Sequence, residues 1–142
     1  MTYYPDLSNY TFLKDTIPAD VTALNIGWLD ENHHFQRGDV EDSFIRDLFL
    51  LSKEHVTART RGYHACPFCR RAGIQEYPIS ASYGGETVLL GSAEVRVLGS
   101  KRTWLIAPDL VLHYVQVHGY RPPEAFVLAV ERGQLAGGSY VR

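Results

Sequence analysis

Four residues in this sequence have the types and spacing that bind a metal ion: Cys66 and Cys69 in C-P-F-C, and His113 and His118 in H-Y-V-Q-V-H. Cys-x2-Cys places two sulfurs on one tight turn, and a spaced His pair at the end of a helix adds two nitrogens. Two thiolates neutralise Zn2+, and two neutral imidazoles complete a tetrahedron, so no position is left for a substrate. The expected cofactor is one structural zinc ion per chain. The order is that of the ββα arrangement of Cys2His2 fingers: a knuckle, a hairpin, then a helix with the His pair. The two halves are much further apart than the roughly 12–15 residues of the formal pattern, so the fold must close the gap. Residues five apart on an ideal α-helix differ by about 140° in direction. His113 and His118 can therefore face one ion only if the last turn loosens, which Gly119 permits.

Other chemistry is open to the same residues. C-P-F-C resembles the redox motif of glutaredoxins, in which the first Cys caps a long helix and a cis-Pro loop follows. Here Gly73 ends any helix soon after the motif, and no Thr-Val-Pro follows. Two buried thiols and two unrelated histidines form a further alternative. His64 is a substitute ligand or a neighbour of the site. His33 and His34 lie in a polar loop and are expected in solvent.

The elements that must position these residues read as an α+β domain over residues 1–132, with a loose tail at 133–142. Residues 1–20 form an extended arm held by its aromatic rings. Strands are expected at 21–29, 56–63, 87–98 and 102–106, in a mainly antiparallel sheet. Along 92–97, Ala93, Val95 and Val97 alternate with Ser92, Glu94 and Arg96, which fits a strand with two unlike faces. Residues 70–86 read as irregular. Asp39 reads as the N-cap of a helix over 40–54, whose stripe contains Phe44, Leu48 and Leu51. Pro108 opens the His-bearing helix, which stops at Gly119. Pro122 and Pro123 open a last helix that stops at Gly133. The helices should cover one sheet face, because Phe44, Leu48, Leu110, Val117 and Phe126 need burial.

With 142 residues the chain has enough material for one domain with a real core. No apolar run approaches the roughly 18 residues of a membrane span, and the N-terminus lacks the features of a secretory signal. A cytoplasmic location follows as the expectation, and a close Cys pair in a reducing compartment points to metal more often than to a disulfide. The net charge of −2 gives no overall pull towards nucleic acid. Residues 1–58 nevertheless balance to −6 and residues 59–142 to +4. Such asymmetry marks either a binding face or two parts that attract each other.

The segments NIGWLD, TRGYHACPFC, GSAEVRV and APDLVLHYVQVHGYRPPEAF together resemble a family of small uncharacterised bacterial proteins of unknown function with a zinc site. The resemblance runs from Tyr3 to about Val130 and implies the same four ligands. It implies no activity. Three functions remain in view. One is an interaction protein with a structural zinc, acting through a protein partner as immunity-type or regulatory proteins do. The second is nucleic-acid binding through Arg59, Arg61, Arg70, Arg71, Arg96, Lys101 and Arg102. The third is a zinc-dependent hydrolase with Glu94 and His64 as an acid/base pair and Arg96 holding an anion. No Ser-His-Asp order, Walker loop or HExxH helix supports catalysis, and no catalytic residue is assigned.

Overall fold

The computed structural model describes residues 1–100 and 102–137. The elements are β1 (Thr22–Asn25), α1 (Asp42–Glu54), α2 (Pro67–Arg71), β2 (Ser80–Tyr83), β3 (Glu86–Leu89), β4 (Glu94–Leu98), β5 (Thr103–Pro108), α3 (Val111–His118) and α4 (Glu124–Arg132). The fold is mixed α+β, as expected. β2 and β3 form an antiparallel hairpin, and a second sheet has the order β1-β5-β4. Within it β4 and β5 are antiparallel, whereas β1 runs parallel to β5, with Thr22 opposite Thr103. None of the described helices is long and apolar enough to cross a membrane.

Alternation along β4 and β5 divides the interior. Val95, Val97, Leu105 and Ala107 join the main core with Phe44 and Leu48 of α1, Leu112 and Val115 of α3, and Phe126 and Val130 of α4. Ile106 points the other way, into a smaller cluster with Tyr10, Ala23 and Trp28, which Tyr4, Leu13 and Ile17 of the arm flank. The sheet is thus covered by helices on one face and by the N-terminal arm on the other. The arm also pairs with β1, through Asn9 opposite Leu24.

Several boundaries differ from expectation, each for a local reason. β1 is shorter than 21–29, because Gly27 takes a left-handed φ of 72°. Residues 56–63 form no continuous strand: Ala58 is also left-handed, and the segment touches β4 only at intervals, through Thr57–Glu94 and the Thr60 amide on Ser92 O. The strand expected over 87–98 is two strands, broken at Gly91 with φ 107°. A side chain there would place its Cβ 2.6 Å from the His64 carbonyl oxygen, so this glycine lets the chain that leads into Cys66 lie against the sheet. The irregular stretch 70–86 contains β2, which turns into β3 through Gly84-Gly85, both left-handed as a two-residue hairpin requires. Glu41, not Asp39, precedes the first residue of α1, and the Asp39 carbonyl accepts a bond from Arg121 Nη1. Pro108 ends β5 instead of opening α3.

One burial expectation also fails, and one charged pair is buried. Val117 is 59% exposed, because α3 turns its histidines inward and Val117 out. Glu94 and Arg96 do not face solvent: they lie under the arm, where Tyr10 Oη donates to Glu94 Oε2 at 2.7 Å and Arg96 Nε donates to Glu94 Oε1 at 2.9 Å. At the chain end, Gln134 and Ala136 bond to the free edge of β4, at Leu98 and Arg96. The rest of the segment expected to be a loose tail, 138–142, lies outside the described residues, as does Lys101.

Candidate metal centre

The knuckle is built on a single turn of helix. Cys66 sits at the N-cap of α2 and Pro67 opens it, where a missing N–H costs nothing. The Cys69 amide points back at Cys66 Sγ from 3.4 Å. The turn stops at Gly73, with φ 79°, and the Ile74 amide closes onto the Cys69 carbonyl at 2.8 Å. Both sulfurs therefore point to the same side of the turn, and both cysteines are free and buried.

α3 brings the nitrogens. The amide of Gly119 bonds to the Tyr114 carbonyl, five residues back instead of four, and the Tyr120 amide joins the same oxygen at 3.1 Å. The last turn is thus wound wide, as in a π-turn. This widening at the helix end eases the 140° mismatch of the ideal helix. Gly119 takes the left-handed conformation, φ 70°, that ends the helix.

As a result the four ligand atoms lie within 4.8 Å of one another. Cys69 Sγ is 3.3 Å from His113 Nε2 and 3.5 Å from His118 Nε2, and Cys66 Sγ is 3.4 Å from His118 Nε2. Around a tetrahedral zinc, with metal–sulfur and metal–nitrogen bonds of about 2.3 and 2.0–2.1 Å, neighbouring S and N ligands stand about 3.6 Å apart. The residues present therefore fit such an ion. Cys66, Cys69 and His113 are buried and His118 is half-buried. Burial pushes the Cys66 thiol up to about 11 and the His113 imidazole down to about 4. Burial also lowers His118, helped by the nearby Arg37 guanidinium. Both imidazoles are thus held neutral, as a metal requires, whereas the Cys66 thiol needs a cation to ionise.

Arg37 carries no sequence signal of its own, yet it closes the site. The chain at 36–38 pairs with 119–121, and Arg37 Nη1 donates to the His118 carbonyl at 2.6 Å. A cation at the carbonyl end of a helix is also favoured by the helix dipole. Phe68 packs on both the His118 and the Tyr114 rings.

The remaining candidates lie elsewhere. His64 is not in the cluster. His33 stacks on Tyr3 and meets Asp30 at 2.7 Å. His64 and Glu94 line a common cavity of about 320 Å³ under the arm, with Asp109, whose carboxyl burial raises to about 6. Both oxygens of Glu94 are already engaged by Tyr10 and Arg96. Among the basic residues, Arg59, Arg61, Arg70, Arg71 and Arg102 are exposed and Arg96 is buried.

No curated protein and no solved structure matches the chain. A family model described as a domain of unknown function (DUF7919) matches residues 2–131, the span that holds the arm, both sheets and all four clustered side chains. The chain belongs to that DUF7919 family.

Proposed function

We propose that the protein is an interaction protein whose fold is held by one structural zinc ion, bound by Cys66, Cys69, His113 and His118. The observation that carries this reading is the closed S2N2 set: four donors at tetrahedral spacing, three of them buried. Two thiolates balance the ion's charge, and the four donors fill its coordination sphere. The metal then ties the knuckle to α3 across the core and presents no open position for catalysis. Exposed Ile74 and Tyr77, which follow the knuckle, and Val117 on α3 offer apolar contacts for a protein partner in a reducing compartment. An immunity-type or regulatory protein works in this way.

Cobalt substitution tests the reading. The Co2+ form should show tetrahedral d–d bands with thiolate charge transfer, and added azide should leave them unchanged. A spectrum that shifts with azide reveals an open position and favours a catalytic metal. Affinity capture from the host should retain a protein on the zinc-loaded chain and lose it with Cys69→Ser. Nucleic acid is the second reading, supported by exposed Arg59, Arg61, Arg70 and Arg71 around the knuckle. Binding that weakens steeply with salt and with Arg70→Ala/Arg71→Ala would favour it.

A further inference from the structure

A cleft of about 430 Å³ lies beside the metal centre, between the 31–37 loop and α2. Arg37 of the loop and Arg71 of α2 both line it. Each guanidinium is anchored by a backbone carbonyl and not by a carboxylate. Arg37 Nη1 holds the His118 carbonyl, and its carbon sits 4.3 Å above the Phe35 ring. Arg71 Nη1 reaches the Glu31 carbonyl at 3.3 Å. Neither arginine has an acidic side chain within 4.0 Å among the described residues, unlike Arg46, Arg96, Arg102 and Arg121. Each keeps further N–H donors, since a guanidinium has five.

We propose that this cleft binds a small phosphate monoester. Two guanidiniums fixed on separate elements can grip the oxygens of one phosphate with paired N–H bonds. His33 and His34 line the same cleft and can add imidazole donors. Inorganic phosphate alone would leave much of the volume unfilled. Phe35 and Phe68, in edge contact at 5.4 Å, offer the rest of the space to an apolar or aromatic ester group. Among the described residues Glu31 is the one carboxylate lining the cleft, and it opposes an anion. The proposal does not depend on which metal the neighbouring site holds.

Calorimetric titration of the full chain with phenyl phosphate and with inorganic phosphate, at low ionic strength, tests it. Phenyl phosphate should bind saturably and more tightly than inorganic phosphate. Arg71→Ala should weaken it about tenfold or more, the cost of losing hydrogen bonds to a charged group. Glu31→Gln should tighten it, because a repulsive charge is removed. Metal content, read in parallel, should be unchanged in both variants, which separates loss of the cleft from loss of the fold. Absence of saturable binding of either probe would overturn the proposal. So would equal binding by Arg71→Ala, or a cleft that binds only RNA or DNA oligomers.

Discussion

His113 and His118, five residues apart on one short helix, present their Nε2 atoms to the same sulfur, Cys69 Sγ, at 3.3 and 3.5 Å. On an ideal helix the two side chains leave about 140° apart. The wide last turn of α3, with Gly119 bonded five residues back to Tyr114, allows them to converge. The helix end is thus a part of the candidate metal site.

Gly119→Ala should destabilise the protein by about 1–2 kcal/mol, the cost of a left-handed L-residue. Space is not the issue: an added Cβ would meet only Arg37 Nη1, at 4.0 Å. Gly119→Asn should cost less, because Asn tolerates this conformation. Chemical denaturation of the metal-loaded variants checks the order, and equal stability of all three proteins would contradict it.

The arm should be clamped by a buried ion pair. Arg96→Met leaves Glu94 charged beneath Tyr10 without its cation, which should cost about 3–5 kcal/mol. Tyr10→Phe removes one bond to the same carboxylate, a loss of about 1–3 kcal/mol. Their effects should not add, since both act on Glu94. Denaturation of the two single variants and the double variant measures the coupling, and strict additivity would count against a shared network.

Acid should weaken the fold even after chelation. Burial depresses His113 from 6.5 to about 4 in the folded chain. The unfolded chain therefore takes up a proton in that window which the folded one refuses. The stability is present in full above 6.5 and is lost as the pH falls towards 4. His118 shifts in the same direction. Denaturation of the chelated protein between about pH 7 and pH 4 should show this fall, and His113→Gln should reduce it. A flat profile in the unaltered protein would contradict the burial of a neutral imidazole.

The four clustered side chains were legible in the sequence because residue type and spacing are local properties of C-P-F-C and of the helix that stops at Gly119. The core faces of α1 and α4 were legible for the same reason. The β2–β3 hairpin had a local signal, Gly84-Gly85, which the polar character of the surrounding stretch hid. What covers a face is not local. Alternation separates Glu94 and Arg96 from Val95 and Val97, but their lid is Tyr10, 84 residues away. The parallel pairing of Thr22 with Thr103 is nearly as distant and leaves no pattern in either strand. Arg37 looks like any loop arginine until the fold sets it on the His118 carbonyl.

Elemental analysis of the purified chain, coupled to thermal melting with and without a strong chelator, tests the zinc assignment most directly. Structural zinc contributes roughly 10–16 kcal/mol in small finger peptides, against about 5–15 kcal/mol for the whole stability of a typical domain. Even part of that decides whether the knuckle and α3 stay docked. The account predicts one zinc per chain, a lower melting temperature on chelation, and recovery with added zinc. Cys66→Ser and His113→Ala should lose metal and stability together, and His118→Ala should do less harm than Cys69→Ser, since His118 is the most exposed of the four. A metal-free preparation whose melting neither chelator nor zinc alters, or a Cys66–Cys69 disulfide in the reduced protein, would contradict it.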